Sequence, residues 1–339
     1  MIFSEHHPKR VLVTGGAGFI GSHVVDLLVT AGQRVTVFDH LSSGTRARLG
    51  AHLDTPSVRL IQADLTDLQA VMQAMPGHDL VWHLGGNDDV ATGSDDTTLD
   101  LASSVIATHN VLEAMRRCCV RELLFCSASA VYGNSTQLPT PETAGPLLPV
   151  SLYGAGKLAA EAFISAYCHL FGMRAWIFRF GNIVGERMTR GAIHDFIRRL
   201  QRTPGQLEVW GDGRQRKNYL LVEECIAGML HAYEHALLSE WQPCAVFNLG
   251  AAQSCGVMTI VDAVLRELDQ RDATIYLTGG ARAWPGDQPR VDLDVSKIGD
   301  LGWSARHSST QAIRIATRRM RGELDDSPAL REAATVEVR

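Results

Sequence analysis

The stretch RVLVTGGAGFIG, residues 10–21, decides the fold. A β-branched run of strand length (10–14) enters a glycine cluster directly, and residues of helical period follow it. Ile20, Val24, Leu27, Leu28 and Ala31 fall on one helix face, and Gly32 is placed to end that helix. Strand, glycine turn and amphipathic helix, in that order, describe the first unit of a dinucleotide-binding fold. Gly15 permits the tight turn, Gly18 lets the backbone approach a pyrophosphate, and Gly21 allows close packing of helix on sheet. The first helical turn, with Phe19 and Ile20, presents unpaired N–H groups and the positive end of a dipole to an anion.

The same alternation continues outward to Phe180. RVTVFD (34–39), VRLIQAD (58–64), DLVWHL (79–84), ELLFCS (122–127) and AWIFRF (175–180) are strand-length runs with helix-period segments between them. Alternating strands and helices imply an α/β architecture: a Rossmann-type, doubly wound parallel sheet. Asp39 ends the second strand, where a carboxylate accepts hydrogen bonds from an adenosine ribose and repels a ribose phosphate. NAD is therefore expected over NADP, with Arg46 and Arg48 nearby as the contrary sign. Asp64 and Leu65, ending the third strand, are expected beside the adenine, with a loop cap as the other reading of Asp64.

Beyond Gly185 the pattern changes. Helices are expected at 191–202, 222–237, 258–268 and 308–321, and strands near 207–210 and at 245–250. The expected organisation is a dinucleotide-binding domain over 1–185, a smaller C-terminal α/β substrate lobe over 186–322, possibly interleaved with it, and a flexible tail over 323–339. A formal net charge of −5 argues against a nucleic-acid or anionic-membrane partner. None of the seven cysteines forms a Cys-x-x-Cys pair, so neither a metal site nor a disulfide framework is expected, and a reduced, cytoplasmic setting fits. The opening MIFSEHHPKR lacks the apolar stretch of a signal peptide, and no apolar run is long enough to span a membrane.

Tyr153 and Lys157 stand four apart at the start of a long amphipathic segment, and so share one helix face. An ammonium beside a phenol favours the phenolate, which turns a weak acid into a base usable near neutrality. The pair follows a strand that ends in the serine-rich turn Ser127-Ala-Ser-Ala-Val-Tyr-Gly133.

Together these segments resemble the extended short-chain dehydrogenase/reductase family, in its branch of NAD-dependent nucleotide-sugar epimerases and dehydratases, with UDP-glucose 4-epimerases nearest in pattern. The similarity runs from Arg10 to Trp303 through TGGAGFIG, FDHLSSG, WHLGG, SASAVYG, YGAGK, RFGNIVG, GDGRQRKNYLLVEE and WPGDQPRVDLDVSKIGDLGW. The resemblance implies that His40, Ser43 and Gly44 border the NAD, as do Leu84, Gly85 and Gly86. Tyr153 would take a proton from a sugar hydroxyl while the carbon gives a hydride to NAD. The resulting keto-sugar turns over, and the hydride returns to its other face. Lys157 would bind the nicotinamide ribose. Asn182 would meet the substrate diphosphate, and Lys217, with Arg216 beside it, stands where the family has arginine. A solvated basic turn is the competing reading of that pair. A homodimer through segments 98–117 and 153–171 is also implied.

The chain departs from the family at several positions. The family's catalytic Ser or Thr is replaced by Ala128, so Ser127 or Ser129 is expected to serve. The same turn lacks the acidic residue of dehydratases and decarboxylases, carrying Ser129-Ala130, which favours epimerisation at carbon 4. A dehydratase, a decarboxylase, a net dehydrogenase and a non-catalytic dinucleotide-binding regulator are the alternatives. Asp88 and Asp89 are candidate sugar contacts, with a solvated loop as the favoured reading. Trp284 replaces a phosphate-gripping arginine, for which Arg282 or Arg290 would substitute.

Overall fold

The computed structural model describes residues 9–326 apart from Asp88. In chain order the first half forms β1 (Arg10–Thr14), α1 (Phe19–Thr30), β2 (Arg34–Asp39), β3 (Val58–Gln62), α2 (Leu68–Ala74), β4 (Leu80–His83), α3 (Ala107–Arg117), β5 (Glu122–Ala128), α4 (Leu152–Phe171) and β6 (Arg174–Phe180). The second half forms β7 (Asn182–Val184), α5 (Ala192–Arg202), β8 (Gln206–Val209), β9 (Arg216–Lys217), β10 (Tyr219–Leu221), α6 (Val222–His235) and β11 (Cys244–Leu249). It ends with β12 (Cys255–Gly256), α7 (Val257–Glu267), β13 (Thr274–Leu277), α8 (Ser296–Gly299) and α9 (Ser309–Asp326).

Seven strands make one parallel sheet in the order β11-β6-β5-β4-β1-β2-β3. Side chains alternate across it. Val11, Val13, Trp82 and Phe178 pack on one face with Val24 and Leu28 of α1 and Met229 of α6. Leu12, Val81, Phe125 and Ile177 pack on the other with α2, α3 and α4 through Val71, Met115 and Ile164. The chain builds outward from β1 to β3 and then returns to the other side of β1 as β4. At such a reversal the loops diverge and leave a crevice at the carboxyl ends of the strands.

A separate core joins α5, α7 and α9 around the parallel pair β8–β13, through Ile197, Leu207, Val264 and Ile313 among others. The strand expected at 245–250 does not belong to this lobe. As β11 it pairs with β6 and forms the edge of the large sheet, and α6 packs beside it on the sheet's core through Cys225, Ile226 and Met229. The reason is apolarity: Ala245, Phe247 and Leu249 need a covered face, which the β6 edge supplies. Residues 323–326 of the expected tail continue α9, which runs to Asp326. Residues 327–339 lie outside the described residues.

Candidate active site

A cavity of about 480 Å³ follows the carboxyl edge of the sheet into the cleft beneath the smaller lobe. Gly15, Gly18, Phe19, Ile20 and Gly21 form one end of its wall. Gly15 has φ +67°, and a Cβ there would lie 2.8 Å from the Gly85 nitrogen. At Gly21 a Cβ would lie 2.1 Å from the Gly15 carbonyl oxygen. Both positions require glycine, and the loop they shape places the N-terminus of α1 against the cavity with no side-chain cap.

Asp39 closes this end. It is 6% exposed; its Oδ2 accepts from the Ala17 N–H at 2.9 Å and its Oδ1 from the Leu41 N–H at 2.8 Å. Each oxygen keeps a second lone pair, so the carboxylate is fixed in place and still able to accept. His40, Ser43, Leu65, Leu84, Gly85 and Gly86 line the same region. Gly44 does not; it packs on Ala17, where a Cβ would meet the backbone at 2.9 Å. Asp64 satisfies both readings, since it lines the cavity and its Oδ1 also accepts from the Thr66 N–H and hydroxyl at 2.8 Å. The Thr66 backbone bond is the main reason its carboxyl sits below the usual range. A glycine loop, a helix N-terminus and a fixed carboxylate together fit a dinucleotide with free ribose hydroxyls.

Tyr153 and Lys157 line the cavity midway along it. Ser151 starts their helix by accepting from the Gly154 N–H at 3.1 Å. Lys157 is 5% exposed, donates to the Cys126 carbonyl at 2.9 Å, and lies 5.9 Å from the centre of the Tyr153 ring. Burial pushes its pKa down. His83, beneath it on β4, is held neutral by burial, with its pKa lowered to about 3; its ring nitrogens bond the Thr14 and Thr108 hydroxyls.

The two candidate serines separate. Ser127, at the end of β5, lines the cavity; Ser129, already in the following turn, does not. Ser127 Oγ donates to Glu161 Oε1 at 2.5 Å, and Glu161 is also held by Arg179 in a buried pair at 2.5 Å. The serine-rich turn therefore rests on a buried carboxylate one turn beyond Lys157 on α4.

At the far end the candidates divide again. Asn182 and Lys217 line the cavity, whereas Arg216, Arg282 and Arg290 do not and are exposed. Arg216 and Lys217 are adjacent on β9, so alternation sends them to opposite sides; Arg216 donates instead to the Ser254 carbonyl at 2.8 Å. Lys217 is clamped to the buried Asp287 at 2.6 Å and stacks on Trp284 at 5.1 Å. Asp89 is not in the wall; it forms an ion pair with Arg190, which is. Asp88 lies outside the described residues. Sequence reading missed Asn87, Ser103, Arg190, Arg199, Trp210 and Gln215, all in the wall. Most come from loops or the second lobe, and no local spacing marks them. Among the described residues no cluster of side chains suited to a metal ion occurs.

Residues 11–250 match the model of the NAD dependent epimerase/dehydratase family. A putative UDP-glucose 4-epimerase of Methanocaldococcus jannaschii is 29% identical over 310 residues, covering 90% of this chain and 96% of its own. A crystal structure of a UDP-galactose 4-epimerase superposes with a TM-score of 0.83 at 36% identity, over 93% of this chain and 99% of that one. The UDP-glucose 4-epimerase of Thermus thermophilus, in complex with NAD, superposes with a TM-score of 0.80 at 28% identity, covering 92% and 99%. Glycine loop, fixed carboxylate and Tyr–Lys pair thus occur in a chain that belongs to the NAD-dependent epimerase/dehydratase family.

Proposed function

We propose that this protein epimerises a nucleotide-activated sugar at carbon 4, with NAD as its cofactor. One observation carries the reading: Tyr153 and Lys157 share a cavity with the glycine loop and Asp39, and no carboxylate from the Ser127–Gly133 turn accompanies them. Among the described residues the carboxylates in the wall are Asp39 and Asp64 at the dinucleotide end, and Asp195 and Asp287 at the far end. Elimination and decarboxylation need further acid–base groups beside the sugar; oxidation and reduction at one carbinol need only the phenol.

NAD, which Gly15, Gly18 and Asp39 would hold, would supply the hydride-transfer chemistry. The chain's own residues do the rest. Lys157, a buried ammonium, stabilises the phenolate of Tyr153, which takes the hydroxyl proton and later gives it back. Ser127, whose proton is held by Glu161, offers its oxygen to a neighbouring hydroxyl of the sugar. Asn182 and Lys217 hold the nucleotide diphosphate. In this reading the sheet unit binds NAD, and the lobe of α5, α7, α9 and the β8–β13 pair closes over the sugar nucleotide. The test is incubation with UDP-galactose, deuterated at carbon 4, and with other nucleotide sugars, followed by NMR. Interconversion of the two epimers with the deuterium retained is expected. Net release of reduced NAD, a 6-deoxy product or carbon dioxide would overturn the reading in favour of a related reaction.

The working form is a homodimer. Leu101 and Ile106, in the π-helical segment that runs into α3, and Leu152, Phe163 and Leu170 of α4 are all exposed, an apolar stripe that a second copy would cover. Phe163→Lys with Leu170→Glu is expected to sediment as a monomer; an unchanged sedimentation coefficient would refute this interface. No described helix is long and apolar enough to cross a membrane, and the seven cysteines are free thiols. Both support a cytoplasmic setting.

A further inference from the structure

Arg48 is the cation that argued against NAD, yet it is not in the cavity wall. It lies half-buried in the 3₁₀ turns that follow β2. Its guanidinium is a planar fork, and the two terminal nitrogens face different segments. Nη1 donates to the Ser43 carbonyl at 3.0 Å and to the Ala17 carbonyl at 3.4 Å. Nη2 donates to the Arg187 carbonyl at 3.0 Å and to the Thr189 hydroxyl at 3.2 Å. The first pair belongs to the dinucleotide end, where Ser43 lines the cavity and Asp39 holds the Ala17 N–H. The second pair belongs to the segment between β7 and α5, whose Met188, Thr189, Arg190 and Gly191 line the cavity toward the smaller lobe.

That segment is also held from α1. The His23 ring bonds the Glu186 carbonyl at 3.1 Å, and Asp26 holds the Arg187 guanidinium at 2.8 Å. Arg187 has φ +65°, in the left-handed region. A residue with a side chain stays there only where its surroundings impose it. Arg48 on its carbonyl and Asp26 on its side chain are among the contacts that do so. The substrate wall is thus gripped, in a strained conformation, from the cofactor side of the molecule.

We propose that Arg48 is a positioning residue for the substrate side: it ties the wall at 187–191 to the glycine loop, so that a dinucleotide held by Asp39 firms the wall on which the sugar nucleotide binds. The route is short. A ribose on Asp39 steadies Ala17 through the 2.9 Å bond, Ala17 and Ser43 steady Arg48, and Arg48 steadies Arg187 and Thr189. Ordering that accompanies the first ligand need not accompany the second, which meets a wall already fixed. A reader of a ribose phosphate would turn its fork to the cavity, whereas Arg48 turns it to carbonyls. Only the naming of the second ligand as a sugar nucleotide rests on the proposed reaction.

The test is hydrogen–deuterium exchange, read by mass spectrometry on the full chain with and without NAD. In the parent, NAD should slow exchange at 186–193 as well as at the glycine loop. In Arg48→Met, NAD should still slow the glycine loop. Exchange at 186–193 should then run about 10-fold or more faster than in the parent's NAD complex, since charge-assisted bonds that oppose local opening are gone. Arg48→Lys keeps the charge without the fork and should behave like Arg48→Met. Parent-like protection of 186–193 in Arg48→Met would overturn the proposal. So would faster exchange throughout the chain, the mark of a merely structural role, or lost NADP affinity with 186–193 unchanged, the mark of a phosphate reader. If Arg48→Met does not fold, Asp26→Asn, which loosens Arg187 from α1, should speed exchange at 186–193 alone; no change there would show that the segment needs no tether. Calorimetry with UDP reads the substrate half. Its Kd for the NAD complex should rise about 10-fold in Arg48→Met, and an unchanged Kd would also overturn the proposal. A parent that binds no UDP would count against the proposed reaction, while the exchange result would still decide the role of Arg48.

Discussion

Replacing Ser127 by alanine separates two roles that one hydroxyl can play. The Ser127 proton points at Glu161 Oε1, 2.5 Å away, so in this arrangement the oxygen can only accept from a substrate hydroxyl. One neutral hydrogen bond contributes about 0.5–1.5 kcal/mol, so kcat should fall by no more than about 10-fold. A donor aimed at developing charge would instead cost about 10²–10³-fold. Stability should change as well. Glu161 loses a charge-assisted bond of about 1.5–3 kcal/mol but keeps Arg179, so urea denaturation should show a loss in that range and not a collapse of the fold. Turnover of UDP-galactose and urea midpoints would be measured for Ser127→Ala, Ser129→Ala and the double variant. Ser129→Ala should be silent in turnover, because that residue is outside the cavity wall. Full activity in all three variants would refute the hydroxyl role. A fall of about 10³-fold in Ser127→Ala would show that the hydroxyl leaves Glu161 to donate to substrate.

Tyr153→Phe should lower kcat by about 10²–10⁴-fold with NAD affinity little changed, read by single-turnover kinetics and calorimetry; near-normal turnover would remove Tyr153 as the proton carrier. Asp39→Asn should erode the preference for NAD over NADP by about 10-fold in Kd, since the charge that repels a ribose phosphate is gone; an unchanged ratio would place the discrimination elsewhere. His83 titrates at about 3 in the fold against 6.5 when unfolded. Its depressed value contributes stability that is present above pH 6.5 and lost as pH falls toward 3, because the unfolded chain binds the proton first. Urea midpoints of the parent should therefore drop more steeply between neutral and acid pH than those of His83→Gln. Parallel curves would contradict this.

Much of the dinucleotide end was legible because its chemistry is local. Gly15 and Gly21 are fixed by close approach within one turn, Asp39 by its place at the end of a strand, and Tyr153 and Lys157 by helical period. The substrate end was not. Lys217 and Arg216 are equivalent in composition, yet only the pairing of β9 with β12 and the contact to Asp287 turn Lys217 inward. Asp89 was open to a sugar contact or a solvated loop, and its ion pair with Arg190, far away in sequence, is marked by no local spacing. Gly44 carried a family pattern but serves packing on Ala17.

The sequence by itself determined the parallel α/β sheet, the site of the dinucleotide loop and the helix that carries Tyr153 and Lys157. Those follow from side-chain periodicity and from turns only glycine can make, and both are properties of neighbouring residues. Tertiary structure alone decided that β11 completes the large sheet and that Ser127 and not Ser129 meets the cavity. Each of these depends on strand pairing or helix docking between segments remote in the chain. The free energy there comes from burying surfaces against one another, which local spacing does not encode.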